Sequence, residues 1–248
     1  MNKLLWMILL LTVFTPLDAH GDDAFTIAIS CPFESKCSAP ELENMLTEAY
    51  ARAGYAVRFQ YMPRLRALHS ADNGSANAVA VCSQEALSDF HKLKTLPSPI
   101  LKVAVAAFSL NPAVSITRRR DLEKYTVGII RGQYLTARLT EELMAKRHVT
   151  NTMKNLVSML QDGRVDAILL SRTTARIFLA ESNIHDYAES EPLATSYLYH
   201  AINISSYSSE QAERVNKALE DMIKDGTMAR LYGRRADMTP PYPFPKNR

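Results

Sequence analysis

The sequence predicts an α/β protein built from two similar units in succession. Strand and helix patterns alternate along its 248 residues, which implies mainly parallel sheets with right-handed crossovers. One phrase also occurs twice, as ADNGSANAVAVCSQ at 71–84 and as LQDGRVDAILLSRT about ninety residues later. In each copy a helix end meets a glycine turn (Gly74, Gly163), and a polar residue (Asn77, Asp166) then introduces alanine and an apolar strand. Each strand stops at a small polar residue, Cys82-Ser83 in the first copy and Ser171 in the second. Crevices form at the carboxyl ends of such strands, so two of these ends facing one another would make a two-sided clamp.

The elements follow in order. FTIAIS (25–30) is β-branched and alternating, and reads as the first strand. Ser38-Ala39-Pro40-Glu41 has the chemistry of a helix start, with Ser38 as candidate cap, and Gly54 ends that helix. AVRFQY (56–61) is the second strand, Pro63 opens a short helix, and ANAVAV (76–81) is the third strand. KVAVAAFSL (102–110) is extended, YTVGII (125–130) is a strand, and Arg131-Gly132-Gln133-Tyr134 lies at a strand-to-helix junction, with the helix running to about Arg147. TMKNLVSMLQDG is a helix, VDAILL a strand, RTTARIFLAES a helix and SYLYHAINIS (196–205) a strand. SSEQAERVNKALEDMIKDG is amphipathic, with Ser208 or Ser209 as cap and Gly226 as stop, and TMARLYGR adds a further turn or two. The Pro-rich end, 239–248, is expected to be draped or disordered.

Composition narrows the class. Apolar residues make up 47% and charged residues 22%, an ordinary globular balance. A formal charge of +3 is too weak to suggest nucleic acid, and Arg118-Arg119-Arg120 reads as a solvated loop. The opening MNKLLWMILLLTVFTPLDA combines Lys3, an apolar run and small residues at the candidate cleavage site, so residues 1–19 read as a secretory signal peptide. Export places Cys31, Cys37 and Cys82 in an oxidising compartment. One pair and one leftover thiol is the simplest account, with Cys31 pairing either Cys37 or Cys82. The six histidines are scattered and show no metal-ligand spacing, so neither metal nor cofactor is expected.

Several stretches resemble the periplasmic solute-binding proteins of family 3. They are Pro32-Phe33-Glu34 after the first strand, AYARAGYAVRFQYMPRLRAL, DLEKYTVGIIRGQY, LQDGRVDAILL and AERVNKALEDMIKDGTMARLYGR, and together they span about 25–234. The resemblance implies a two-lobed periplasmic binding protein type II fold, with two mainly parallel sheets joined by two hinge strands. It implies a first lobe of 24–100 that takes back 199–238, a second lobe of 101–198, and crossing strands near 98–103 and 195–199.

The candidate binding residues are Phe33, Arg64, Arg66, Ser83, Arg131, Gln133, Tyr134 and Ser171. The resemblance implies that an aromatic at Phe33 stacks on the ligand. Arg64 and Arg66 follow Pro63 at a strand-to-helix corner, where guanidinium forks suit carboxylate or phosphate. Ser83 offers a hydroxyl, Gln133 and Tyr134 begin a helix whose free N–H groups favour anions, and Arg131 is a further cation. Two departures from the family matter. Its amino-acid binders carry an arginine soon after the third strand, but here that segment reads SQEALSDFHKL, and no Arg occurs between Arg66 and Arg118. They also carry an acid where this chain has Ser171. A buried zwitterion would then lack both charge partners, so an anionic or neutral polar solute is expected rather than a standard α-amino acid.

The leading expectation is a monomeric periplasmic binding protein that serves an ABC permease or a membrane sensor. A second class is an accessory or signalling module whose ligand site has weakened. A third is an exported enzyme resembling cyclohexadienyl dehydratases, for which Glu34, Glu85 and His91 are the only acid–base candidates, none of them in a catalytic motif.

Overall fold

The computed structural model of the protein describes residues 24–31, 39–142 and 146–244. The predicted signal peptide, Phe33, Glu34, Cys37 and Ser38 lie outside them. The strands are β1 (Phe25–Cys31), β2 (Val57–Pro63), β3 (Ala78–Cys82), β4 (Leu93–Ser109), β5 (Thr126–Ile130), β6 (Lys146–Thr150), β7 (Ala167–Ser171), β8 (Ala188–Glu189) and β9 (Ala194–Asn203). The helices are α1 (Pro40–Ala53), α2 (Arg64–Asp72), α3 (Tyr134–Glu142), α4 (Met153–Gln161), α5 (Arg172–Glu181), α6 (Ser209–Lys224) and α7 (Thr227–Tyr232).

The strand order is β2-β1-β3-β9-β4-β7-β5-β6, with β8 also on β4. One flank is parallel through β2, β1 and β3, and the other through β7, β5 and β6. Between them β9 and β4 pair antiparallel with each other and with both flanks. The two parallel sets are thus joined through this long central pair into one ladder.

The inner strands of each flank, β1 and β3 in one and β5 and β7 in the other, are buried on both faces, which is why they are mostly apolar runs, while the edge strands β2 and β6 are not. Ile27 and Ile29 of β1 pack with α1, α6 and α7, while Ala28 faces α2 on the other side. In the second flank Val127 and Ile129 share a cluster with Leu139 of α3, and Ile168 and Leu170 pack with Leu156 of α4 and Leu179 of α5. Gly128 is required by this packing. A Cβ there would stand 2.6 Å from Leu156 Cδ1 and 3.3 Å from Ile168 Cγ2.

The repeated phrase folds into the same device twice. Asn77 accepts a hydrogen bond from the Thr26 amide at its Oδ1 (2.7 Å), and its own amide donates to the Thr26 carbonyl (2.8 Å). Asp166 repeats the pattern on Thr126, with 2.7 Å to Oδ2 and 2.8 Å to the carbonyl. The polar residue therefore pins the first rung of each parallel pair, β1–β3 and β5–β7, and so sets where each strand ends. Gly74 and Gly163 precede these clamps with φ of 87° and 69°, in the left-handed region that glycine adopts without strain.

Several boundaries differ from the sequence reading. The helix expected to reach Arg147 ends at Glu142, and 146–150 form the edge strand β6 instead. Its first four residues are exposed and it opens on Lys146-Arg147, as suits a protected sheet edge, so it carries no apolar alternation to reveal a strand. β4 begins nine residues before the expected 102, because Pro97 and Pro99 mask its first half; the ladder shifts register around them. Ala39, not a serine, is the N-cap of α1, with proline as the first helical residue. Ser208 caps α6 in a reciprocal box with Gln211. At the C-terminus Tyr242 donates to Glu220 (3.1 Å) with Lys224 over its ring, and Phe244 packs on the core, so the tail as far as 244 is draped along α6.

One polar chain threads the first core. His200 is fully buried between β3 and α1, with Nδ1 3.1 Å from the Ala80 carbonyl and Nε2 2.8 Å from the Tyr50 hydroxyl. The Ala80 carbonyl can only accept, so Nδ1 carries the proton, Nε2 accepts from Tyr50, and Tyr50 accepts from Tyr207 at 2.5 Å. Burial holds the imidazole neutral, lowering its pKa to about 4.

Candidate functional site

The ends of the two repeated strands meet at one cavity of about 280 Å³, to which β3 brings Cys82 and Ser83 and β7 brings Ser171. The β2–α2 corner supplies Arg64, and the turn into α3 supplies Gly132, Gln133 and Tyr134. The central pair contributes the rest of the wall: Val103 and Val105 from β4, Ser196 and Leu198 from β9. Val81 and Leu135 add further apolar surface. The arrangement is a mainly apolar chamber with a few converging polar groups, as small-molecule sites generally are.

Arg64 is the only charged side chain lining this cavity among the described residues. Its Nη1 donates to the carbonyl of Gly132 at 3.1 Å, which carries the guanidinium from the first flank across to the start of α3. That carbonyl is the only hydrogen-bond partner of Arg64, and it makes no ion pair, among the described residues. The first amides of α3 have no carbonyl within the helix to receive them. Its first turn is fastened from below, since the Gln133 carbonyl accepts from the Ala137 amide (3.0 Å) and from Thr136 Oγ1 (3.0 Å).

Ser83 is 7% exposed, and its hydroxyl oxygen, fully buried, has no hydrogen-bond partner. Ser171 is half-buried at the N-cap of α5, where its side chain makes no capping hydrogen bond. Cys82 is an unpaired thiol, so the alternative in which it bonds Cys31 is not realised. Burial pushes its pKa up to about 12, with the nearby Arg64 charge pulling the other way.

Of the residues expected from sequence, Arg64, Ser83, Gln133, Tyr134 and Ser171 converge here. Arg66 is exposed and does not line the cavity. Arg131 bonds Asn151 Oδ1 at 2.9 Å and borders a separate surface depression with Asn155 and Asp162. Arg172 turns away to Glu189 and the Ser190 carbonyl. Phe33 lies outside the described residues. Ser30, Thr136 and Ser196 line the cavity without having been expected. Only Ser30 had a sequence signal, as the polar end of the first strand. Glu85 and His91, the acid–base candidates that are described, are exposed and line no part of it. No cluster of three potential metal ligands occurs among the described residues.

The molecule has the two-lobed fold of the type II periplasmic binding proteins, the fold of the family 3 solute binders. No protein-family profile and no curated protein matches the sequence. Solved structures do. A variant of ArgBP from T. maritima is 16% identical over 86% of this chain and 95% of its own, with a TM-score of 0.65. The GluR0 ligand-binding core in complex with L-glutamate is 11% identical over 87% and 99%, with a TM-score of 0.72. A histidine kinase sensor domain with similarity to periplasmic binding proteins is 15% identical over 88% and 98%, with a TM-score of 0.66. Among the described residues no helix is long and apolar enough to cross a membrane.

Proposed function

We propose that the protein is a periplasmic solute-binding protein that holds a small polar molecule, anionic or neutral, between its lobes. In this reading 24–100 with 199–238 form one lobe and 101–198 the other. The observation that carries the reading is the chamber at the two repeated strand ends: its one charge is the cation Arg64, its other polar groups are hydroxyls, amides and a helix start, and no carboxylate lines it among the described residues. Phe33 would add a ring from the loop after β1. Arg66 and Arg131, at the surface, would serve at most the approach of an anion. An exported, monomeric chain would deliver the solute to an ABC permease or report it to a sensor. Related folds occur in both settings, in the binding protein of an amino acid ABC transporter and in the kinase sensor domain.

The test is a thermal-shift screen of purified protein against amino acids, organic acids, amines and sugars. A solute that binds the folded state raises the melting temperature by mass action. An organic acid or neutral polar compound should give the largest shift. A dominant shift with a cationic amine would refute the assignment, and the absence of any shift would favour an accessory module with a lost site.

A further inference from the structure

We propose that the solute is a compact carboxylate with an apolar body and no cationic group, whose carboxylate lies between Arg64, the start of α3 and the Ser83 hydroxyl. This rests on the binding reading above and narrows it. The guanidinium of Arg64 and the first turn of α3 are both positive ends, one carrying a full charge and the other about half a charge. The structure brings them together, with only the Gly132 carbonyl for Arg64 to bond. Two positive ends converging on one cavity are accommodated when an anion lies between them. Ser83 is the independent sign of a ligand: a hydroxyl more than nine-tenths buried, at the end of β3 on the cavity wall, that bonds nothing in the protein.

The described walls favour this class over the alternatives. An α-ammonium would need a carboxylate, and none lines the chamber among the described residues; the mirrored strand end offers only the Ser171 hydroxyl. Phosphate or sulfate would bring more charge than one guanidinium and a helix start can match, and would leave Val81, Val103, Val105, Leu135 and Leu198 facing a hydrated ion. A carboxylate with a branched or aromatic body uses both ends of the site. The cavity of about 280 Å³ lies at the small end of ligand sites, which suits a compact organic acid.

The experiment uses matched ligands with one apolar body: 4-methylpentanoate, 4-methylpentanamide and leucine, then benzoate and benzamide. Affinities are measured by calorimetric titration of the whole protein at neutral pH, alongside a broad library of acids, sugars, amines and amino acids. A compact monocarboxylate, from the matched set or the library, should bind at least tenfold tighter than its amide and its α-amino analogue. Arg64→Gln should weaken that binding at least tenfold without moving the melting temperature of the unliganded protein, because Arg64 is exposed. Leucine equal to or tighter than 4-methylpentanoate, an amide equal to its acid, or a library hit of another class would overturn the proposal and leave solute binding standing. No binding by any compound would overturn both. Unchanged carboxylate affinity in Arg64→Gln would also refute it, whatever the ligand ranking.

Discussion

Replacing Ser83 by alanine should weaken ligand binding without weakening the fold. The usual expectation for a buried serine is the reverse, because removing a buried hydrogen bond destabilises a protein. Here there is no bond to remove. The Ser83 oxygen is buried and has no hydrogen-bond partner in the protein, so no intramolecular bond offsets its desolvation. Such a group costs about 1–3 kcal/mol. Deleting it recovers part of that and leaves only an oxygen-sized gap, so Ser83→Ala should be between unchanged and ~1 kcal/mol more stable. In the complex the hydroxyl meets a carboxylate, and a hydrogen bond to a charged group is worth about 1.5–3 kcal/mol. Its loss raises Kd by roughly 10- to 150-fold. Urea denaturation of the unliganded protein and calorimetric titration of the tightest carboxylate give the two numbers. A variant that loses more than ~1 kcal/mol of stability while keeping its affinity would show that the hydroxyl serves the fold and has no ligand role, and would refute this account of the site.

Three further perturbations probe the frame. Gly128→Ala should cost about 1–3 kcal/mol in urea unfolding, because the new methyl would stand 2.6 Å from Leu156 Cδ1 inside a packed cluster; full stability would mean that α4 shifts freely on the sheet. Asn77→Ala and Asp166→Ala should each cost about 1–3 kcal/mol, the first more, because Thr26 is buried and Thr126 only half-buried; Asp166→Asn, which installs the residue used by the first copy, should restore most of the loss, and failure to do so would refute the equivalence of the two clamps. His200 is neutral when folded, with its pKa lowered to about 4 from 6.5, so below pH 6.5 the unfolded chain binds a proton that the folded one does not. Stability should therefore fall as pH drops from about 6.5 towards 4, by roughly 3 kcal/mol over the full window. His200→Gln should be less stable at pH 7.5 yet flatter across that window, and an unchanged slope would place the proton uptake elsewhere.

Much of the fold was legible because its signals are local. Gly74 and Gly163 mark the two turns, Asn77 and Asp166 the two strand entries, and Ser208-Ser209 a helix start, each a short-range pattern with its own chemistry. What stayed hidden depends on neighbours distant in sequence. β6 is a strand only because β5 lies beside it, and its exposed residues leave no periodic trace. The first half of β4 is a strand despite Pro97 and Pro99 because β9 tolerates the register shifts they impose. The arginines show the same limit at the site. Arg64 and Arg66 both follow Pro63, but residues two apart on a helix point to different sides, so one position on α2 reaches the cleft and the other faces solvent. Arg131 also stands at a strand-to-helix corner, at the end of β5, yet Asn151 in the β6–α4 turn draws it off. Ser196 reads as an ordinary strand residue until its pairing with Val103 places both on the cavity wall.

The duplicated strand end supplies the frame of the clamp, and its charge comes from elsewhere. Both copies finish in neutral groups, Cys82-Ser83 and Ser171, so neither can hold an ion by charge alone. The cation arrives from the β2–α2 corner on the first flank, and the oriented amides arrive from α3 on the second. An anion between them would contact both flanks at once, and each contact would be complete only when the flanks are close. A ligand shifts a conformational equilibrium only by its differential affinity for the two states. Arg64 reaches the Gly132 carbonyl across the cleft, and this bridge itself favours close flanks. The anion would add to that preference by relieving the convergence of positive ends that closure creates. A neutral solute would lack this second contribution. Carboxylate and amide should therefore differ in how far they close the cleft as well as in affinity, which small-angle scattering on the two complexes would register as a smaller radius of gyration for the carboxylate.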